Sequence, residues 1–402
     1  MTLNDVCKFI VDCPHTTALD EGTGYPLIRT PNVGKGRLIL DGVHRVSEEV
    51  YRKRIQRGVP QENDLIMARE APAGNVAIIK SGEVVCLGQR TVLLRPDPQI
   101  VYPDYLVYYL LAPAQQYKLL GTANGATVAH VNLPVIRSMP VELPPLERQI
   151  AVASILSGFD TLIENNQKQI KLLEEAAQRL YKEWFVDLRF PGHENTPIID
   201  GVPDGWSYRP LSDLFSFIRG KSYTSKELSE TNGVLMINLK NIRAFGGYNR
   251  NAEKRFTGKY KEEQALSPGD LIMAVTDMTQ ERRLVGHAAI VPDLGEPMTL
   301  SMDLIKLVPL RIKKSYLYSS LYYGGYSLKI SPLANGVNVL HLKPEAMMNL
   351  QMLVPTGELM DAFGKVFGPI QSRIELLQKQ IDAAAESRDR LLPKLMSGEI
   401  EV

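Results

Sequence analysis

The chain has 402 residues, 44% of them hydrophobic, with 46 Lys and Arg against 45 Asp and Glu. This length and composition predict two or three globular domains and exclude a disordered or fibrous protein. The net charge of +1 excludes a bulk polycation, so any nucleic-acid binding must come from local basic patches.

The cysteines and the apolar segments indicate the compartment. Cys7, Cys13 and Cys86 form neither a disulfide framework nor a four-cysteine zinc motif. The sequence shows no signal peptide and no run of about 20 apolar residues that could span a membrane. We therefore expect a cytoplasmic protein.

Residues 1–143 predict a mixed α/β domain. Short β-branched runs at residues 76–79 and 91–94 are bounded by Gly, Pro and Asp, as strands often are. Residues 103–111 have helical spacing, with Asp104 in the first turn.

Residues 144–189 predict a long helix. Its apolar stripe advances in alternating steps of three and four residues, which is typical of the seam of a coiled coil. A polar seam residue, here Asn166, commonly fixes helix register. A plain amphipathic helix on a globular core is the alternative. The predicted seam positions are Ile163, Asn166, Ile170, Leu173, Ala177, Leu180 and Trp184.

The rest of the chain follows the same plan. Residues 190–205 contain Gly and Pro clusters and predict a linker. Residues 206–353 predict a second mixed α/β domain, with strand-like runs at 288–291 and 304–308. Residues 354–402 predict a second long helix with a matching stripe. Its seam positions are Ile374, Leu377, Ile381, Ala384, Arg388, Leu391 and Leu395.

The two halves also match in sequence. Residues 64–68 (DLIMA) recur unchanged at 270–274, and residues 167–170 (QKQI) recur at 378–381. Residues 3–10 resemble residues 211–218. The pattern NGxxVxH occurs at 124–130 and 335–341, and from there the offset is a constant 211. Four matches in one order predict an internal duplication.

Motifs for catalysis are missing from the sequence. The six histidines have no HExxH or HxE spacing for a metal, and residues 219–222 (RGKS) lack the first glycine of a phosphate-binding loop. GxGxxG, GxSxG and the Asn- or Asp-Pro-Pro-Tyr motif are absent as well. The sequence predicts no catalytic residue, no metal site and no cofactor. His130 and His341 are expected to be structural.

Basic and amide side chains are concentrated in both predicted domains. Between residues 207 and 350, 19 basic residues stand against 13 acidic ones, although the whole chain is near neutral. Lys and Arg neutralise phosphates, and Arg, Asn and Gln read base edges. For any single residue, a solvated surface charge is the alternative. The predicted DNA-binding residues are Arg29, Asn32, Lys35, Arg37, Arg45, Arg69, Arg90, Lys221, Asn238, Lys240, Asn241, Arg243, Lys254, Arg255, Arg282 and Arg283.

Several segments resemble a known protein family. Residues 143–151 (LPPLERQIA), 159–164 (FDTLIE) and 390–400 (RLLPKLMSGEI) are similar to specificity (S) subunits of type I restriction-modification systems. Residues 88–90 (GQR) and 124–132 fit as well, so the resemblance covers essentially the whole chain. The second copy departs from the first at residues 353–359, where one proline and Glu-Arg-Gln are missing.

The resemblance implies a non-catalytic subunit that selects the DNA sequence. Such subunits carry two target-recognition domains, each reading one half of a split double-stranded DNA target. Two methyltransferase (M) subunits methylate adenine with S-adenosylmethionine, and restriction (R) subunits join them for cleavage. No membrane is involved. The alternatives are a protein–protein scaffold without DNA contact and a DNA-modifying enzyme fused to its own recognition module.

The resemblance also implies the architecture. The expected fold class is α+β, with two similar mixed α/β domains and two long helices that form an antiparallel coiled coil in a pseudo-twofold repeat. Residues 1–143 and 206–353 then become the target-recognition domains. Residues 144–189 and 354–402 become conserved helical spacers, and residues 190–205 remain a linker.

Overall fold

A computed structural model describes residues 1–121, 130–250 and 252–402, which form two compact units. Unit 1 contains Met1–Gln167 and Lys379–Val402, and unit 2 contains Lys168–Gln378. The divisions fall inside the two QKQI segments. No helix in the described ranges is long and apolar enough to cross a membrane.

In the residues that the structure describes, unit 1 combines two sheets with five helices and the last part of a further helix, α10 (Gly357–Ser397). The strands are β1 (Cys7–Asp12), β2 (Tyr25–Ile28), β3 (Gly36–Arg37), β4 (Arg45–Val46), β5 (Leu65–Ala68), β6 (Val76–Ile78), β7 (Cys86–Leu87) and β8 (Thr91–Pro96). The helices are α1 (Glu48–Arg54), α2 (Pro103–Leu111), α3 (Pro113–Gly121), α4 (Leu133–Ser138) and the first part of α5 (Leu146–Tyr181). The larger sheet has the order β1-β8-β5-β6-β3, and the smaller has the order β4-β2-β7.

The DLIMA segment forms the central strand of the larger sheet. Strand β5 pairs antiparallel with β6 on one side and β8 on the other, and its four residues are fully buried. Because side chains alternate across a strand, Leu65 and Met67 join the core that includes α2 and the start of α5, whereas Ile66 joins a second core. A strand buried on both faces has no polar alternation, which explains its continuous apolar run.

Unit 2 also combines sheets with helices, and it has more short strands than unit 1. The strands are β9 (Ile198–Ile199), β10 (Val202–Pro203), β11 (Ser207–Pro210), β12 (Phe215–Arg219), β13 (Leu228–Ser229), β14 (Val234–Ile237), β15 (Lys254–Phe256), β16 (Ala265–Leu266), β17 (Leu271–Ala274), β18 (Thr276–Asp277), β19 (Ala288–Ile290), β20 (Met298–Leu300), β21 (Leu304–Pro309), β22 (Leu340–His341) and β23 (Gln351–Val354). The helices are the last part of α5, α6 (Leu211–Leu214), α7 (Lys314–Tyr322), α8 (Tyr326–Ile330), α9 (Pro344–Met347) and the first part of α10 (Gly357–Ser397).

The second DLIMA segment is also a central strand. One sheet of unit 2 has the order β12-β21-β17-β19, in which β17 pairs antiparallel with β21 and β19. A second sheet has the order β13-β15-β14-β20-β16. In it β14 pairs parallel with β20, as β2 pairs parallel with β7 in unit 1.

The predicted linker is more structured than its Gly and Pro content suggests. Helix α5 ends in a π-helical turn, Lys182–Val186, and residues 198–203 form the β9–β10 hairpin. Phe190 is buried, and its ring centroid lies 5.2 Å from that of Trp206. This aromatic pair attaches the start of the segment to the core of unit 2, whereas most of residues 191–205 are exposed.

Helices α5 and α10 contact each other within each unit. In unit 1, Asn166 Nδ2 donates to Gln380 Oε1 at 3.2 Å, and in unit 2 the ring centroids of Trp184 and Phe363 are 5.9 Å apart. In unit 1 Arg388 also meets Asp160, six residues before Asn166, so the helices run antiparallel there. All of the predicted seam positions are buried or half-buried. Knobs-into-holes packing of these positions stays a prediction.

The predicted domain limits differ from the compact units. The limits at residues 143, 189, 205 and 353 treat each long helix as a separate spacer, whereas each unit contains a part of both helices. The physical reason is that each helix segment packs on the core of its own unit. Leu391 and Leu395 of α10, for example, pack with the core of unit 1.

A buried charged contact joins the two helices of unit 1. Asp160 is 4% exposed, and its carboxylate accepts from Arg388 Nη1 at 2.6 Å and from the Tyr108 hydroxyl at 2.5 Å. Burial works against the charge of Arg388, but the hydrogen bonds and charges of Asp160 and Asp389 raise its pKa. Burial and the adjacent Asp160 likewise raise the pKa of Tyr108.

Removing the cation of this contact should destabilise unit 1. Arg388→Ala leaves the Asp160 carboxylate buried without its counter-ion, which costs about 3–5 kcal/mol. The matched control is Arg390→Ala, because the Arg390 side chain is 78% exposed in its pair with Glu386 and should contribute less than about 1 kcal/mol. Hydrogen exchange of the β5 amides measures the effect on unit 1. Equal exchange rates in the two variants would show that the contact is not stabilising.

Candidate nucleic-acid interface

A short 3-10 turn follows strand β2 in unit 1, and another follows strand β14 in unit 2. In unit 1 the turn is Thr30–Asn32, where Asn32 Oδ1 accepts from the Arg29 backbone N–H and Asn32 Nδ2 donates to the Ile39 carbonyl, both at 3.2 Å. In unit 2 the turn is Leu239–Asn241. There Asn241 Oδ1 accepts from the Asn238 backbone N–H at 2.9 Å.

The asparagines of these turns are not free to read bases. Asn32, Asn238 and Asn241 are 6%, 3% and 0% exposed. Asn238 Nδ2 donates to the Ala252 carbonyl at 2.7 Å, and its Oδ1 accepts from the backbone N–H of Lys240 at 3.1 Å. Their amide groups therefore hold the loops in shape. This corrects the predicted base-reading role, which rested on residue type alone.

The Arg69 side chain is also held by contacts inside unit 1. Its side chain is 9% exposed and lies 2.7 Å from Asp12, and it donates to the Val131 carbonyl and to His130 Nε2, both at 2.8 Å. His130 Nδ1 in turn lies 2.5 Å from Glu70. The network holds Arg69 in place through His130 and Asp12. Asn124 and Val128 of the NGxxVxH pattern lie outside the described residues.

Arg37 contacts a helix rather than solvent. Its Nε donates to Glu164 of α5 at 2.5 Å, and in unit 2 Arg250 lies 2.7 Å from Glu375 of α10. The two glutamates are 211 residues apart, which is the offset of the sequence repeat. Sequence reasoning missed these glutamates, although the repeated Ile-Glu at 163–164 and 374–375 carries the signal. The Arg37 charge is compensated within unit 1.

Other predicted arginines keep part of their surface in solvent. Arg45 Nη1 donates to the Gly24 carbonyl at 2.7 Å, and Arg255 forms a two-pronged contact with Glu296 at 2.8 and 2.9 Å. Surface ion pairs are weak, so such guanidinium groups can exchange a carboxylate for a phosphate. The remaining partners are Glu70 for Arg90, Glu174 for Arg243 and Glu281 for Arg283.

Lysines supply the uncompensated charge. Lys35 and Lys240 are exposed and Lys221 is half-buried, and none of the three ammonium groups has a hydrogen-bond or ion-pair partner among the described residues. Lys254 Nζ lies 5.5 Å from the centre of the Tyr223 ring. These positions can neutralise phosphates without first breaking an ion pair.

One loop of unit 2 is held by a buried aspartate. Asp277 is fully buried, and it accepts from the backbone N–H groups of Leu284 at 2.6 Å and Thr279 at 2.9 Å. Burial opposes its ionisation, but these hydrogen bonds hold its pKa below the ordinary value. The loop carries Arg282, whose φ of 53° is unusual for a non-glycine residue, and the exposed Arg283.

Arg29 and Arg90 line one small cavity in unit 1 together with Arg54 and Gln89. The structure thus brings Arg29 and Arg90 together at one cavity, and the other predicted residues lie on turns and short strands of the two units. In the described parts of the chain, no group of three or more His, Cys, Asp or Glu side chains could hold a metal ion.

Comparison with known proteins shows what this chain is similar to. The family profile described as "Type I restriction modification DNA specificity domain" matches residues 1–175. The chain is 26% identical over 375 residues to the type I restriction enzyme MjaIX specificity subunit of Methanocaldococcus jannaschii, covering 90% of this chain and 83% of that protein. It is 24% identical over 413 residues to the MjaVIII specificity subunit of the same organism, covering 100% of this chain and 92% of the relative.

A solved structure has the same fold. The crystal structure of a type I restriction-modification S subunit from M. genitalium aligns with a TM-score of 0.61 at 16% identity, covering 98% of this chain and 95% of that one. Sequence relatives along nearly the whole length and this shared mixed α/β fold agree with each other. Along nearly its whole length the chain is therefore similar to specificity subunits of type I restriction-modification systems.

Proposed function

We propose that this chain is the non-catalytic DNA-specificity subunit of a type I restriction-modification complex. The observation that carries the proposal is the similarity, over 90% and 100% of the chain, to two proteins named as specificity subunits. In this function the chain binds a split double-stranded DNA target in the cytoplasm and scaffolds two methyltransferase subunits, which perform the chemistry. Restriction subunits join the same complex for cleavage.

The two units supply the two recognition domains in this proposal. Three observations support an internal duplication. Both DLIMA segments form central strands, and strands β2 and β14 each lead into a turn closed by Asn. In each unit an arginine also contacts a glutamate at the equivalent position of a long helix. We propose residues 1–143 and 206–353 as the recognition domains. The buried Phe190 and the β9–β10 hairpin support residues 190–205 as a linker that is attached to unit 2 at its start.

The paired helices act as a spacer in this proposal. Their antiparallel contacts and buried seam positions support a coiled coil. A rigid helical spacer converts helix length into the distance between two half-sites, as in dimeric DNA-binding proteins. Residues 144–189 and 354–402 are the proposed spacers.

The proposed DNA contacts are the basic side chains that keep solvent exposure or lack a partner. Phosphate contacts position a protein on DNA, and base contacts specify the sequence. Loops that hold both types of group on a rigid sheet suit this task. The proposed residues are Arg29, Lys35, Arg45, Arg90, Lys221, Lys240, Arg243, Lys254, Arg255, Arg282 and Arg283.

The isolated chain should transfer no methyl groups, because the proposed function places catalysis in the methyltransferase subunits. Adding those subunits should give adenine methylation at one split sequence, measured by incorporation of labelled methyl groups and mapping of the modified bases. The methyltransferase subunits without this chain are the control. Methylation by the purified chain alone would contradict the proposal.

Lengthening both helices should change the gap between the half-sites. Inserting about one heptad near residues 167–170 and another near 378–381 preserves the seam and lengthens the spacer. The base sequence of each half-site should stay the same while the methylated positions move apart. An insertion of equal length at the exposed turn of Asp41 and Gly42 is the control and should leave the gap unchanged. Altered half-site sequences with an unchanged gap would contradict the spacer role.

Two neighbouring cations should differ in their effect on DNA binding. Lys35→Gln removes an unpaired charge and should lower the salt dependence of affinity by about 0.9 in logarithmic slope. Arg37→Gln should leave the slope unchanged and instead lower stability, because Glu164 already uses that charge. Titrations of the assembled complex at several salt concentrations, with melting curves, measure both effects. Equal slopes for the two variants would contradict this assignment.

A further inference from the structure

A small cavity in unit 1 has arginines on several sides. Its volume is about 200 Å³, and Arg29, Arg54 and Arg90 line it with Gln89 and Thr30. Arg54 comes from α1, Arg29 from the end of β2, and Arg90 from the turn before β8. Three separate segments of the chain thus bring guanidinium groups to one place.

The positive charge of this cavity is poorly compensated. Arg90 lies 2.7 Å from Glu70, but Arg54 is 4% exposed and donates only to the carbonyls of Leu87, at 2.8 Å, and Thr16. Arg29 Nε is buried and has no hydrogen-bond partner in the described parts of the chain. Buried donors are normally satisfied and buried charges normally paired, so the cavity lacks an acceptor.

Asp20, the carboxylate that feels the charge of Arg29, does not fill this role. The carboxylate of Asp20 accepts from the backbone N–H groups of Arg45 at 2.9 Å and Gly22 at 3.0 Å. These bonds lower the pKa of Asp20, and the charge of Arg29 lowers it further without forming an ion pair. Asp20 therefore weakens the excess charge and leaves the Arg29 donor unsatisfied.

The backbone at the cavity packs closely against Arg29. A Cβ atom on Gly88 would lie 2.8 Å from the Ile28 carbonyl oxygen and 2.9 Å from Arg29 Cγ, so only glycine permits this approach. Arg90 has a φ of 63°, which is unfavourable for a residue with a side chain. Such strain persists where the surrounding structure maintains it, often at binding sites. This accounts physically for the Gly88-Gln89-Arg90 motif.

We infer that this cavity binds one phosphate group of the DNA backbone. The inference rests on the proposed function and names a contact within it. Charge decides between the two groups of DNA that arginine recognises: a guanine edge is neutral and would leave the cations uncompensated, whereas a phosphodiester carries one negative charge. Arginine forks match phosphate oxygens. In unit 2 the residue after β14 is Asn238, whose side chain is engaged, so this site belongs to unit 1 alone.

The test uses the chain assembled with its methyltransferase subunits and two duplexes. One duplex contains the sequence that the complex methylates, and the other contains scrambled half-sites. Arg29→Gln should weaken binding to both duplexes about tenfold, the effect of one charged hydrogen-bonded contact. It should also reduce the logarithmic salt slope by about 0.9. Arg52→Gln is the matched control, because Arg52 is exposed on α1 and paired with Glu48.

A second arm changes the DNA and leaves the protein intact. Each duplex carries one methylphosphonate linkage, which is uncharged, and the position of this linkage is varied along both strands of the target. One linkage should weaken the wild-type complex about tenfold and should weaken the Arg29→Gln complex no further. This arm remains informative even where the substitution lowers stability.

Three results would overturn the inference. Relaxed specificity at one target position with an unchanged salt slope would mean that Arg29 reads a base. Stabilisation of the wild-type chain, but not of Arg29→Gln, by inorganic phosphate with no effect on DNA binding would mean that the cavity takes a free anion. Identical behaviour of Arg29→Gln and Arg52→Gln would mean that it takes neither. Failure of the wild-type complex to bind DNA would instead contradict the proposed function itself.

Discussion

The contact between α5 and α10 is the constraint on which the rest of the molecule depends. Inside unit 1 it contains Arg388 and Asp160, a charged pair whose Asp160 is buried, with the Tyr108 hydroxyl on the second carboxylate oxygen. Sliding one helix by a turn would separate these charges in a poorly solvated site, so the pair selects one register. Asn166 adds a second polar contact with Gln380.

The loops that carry the candidate DNA contacts are tied to this helix pair. In unit 1 Arg37 extends to Glu164, and in unit 2 Arg250 extends to Glu375. The arginine side chains are 20% and 11% exposed, so each contact is partly protected from water. The rigidity of the helices is thereby transmitted to the loops, which matters for a surface that must match a fixed spacing of DNA groups.

Periodic apolar patterns were readable from the sequence, and individual polar side chains were not. The seam positions and the DLIMA strands follow from periodicity and repetition, because burial imposes a regular pattern. Asn32, Asn241 and Arg69 were predicted to face DNA because their types suit that task, yet the same donors satisfy buried backbone groups and carboxylates. Their choice of partner depends on contacts between distant segments, as with Arg37 and Glu164. The cavity around Arg29 likewise brings together three segments that no local pattern connects.

The division of the helices has a consequence for the order of folding during synthesis. Unit 2 is one continuous stretch, Lys168–Gln378, so all of its residues are available before the chain is finished. Unit 1 waits for Lys379–Val402, whose Leu391, Leu392 and Leu395 cover the core beside α2. Until residues 379–402 have left the ribosome, the apolar face of unit 1 stays open to water. Unit 1, whose synthesis starts before that of unit 2, is therefore expected to become stable after it.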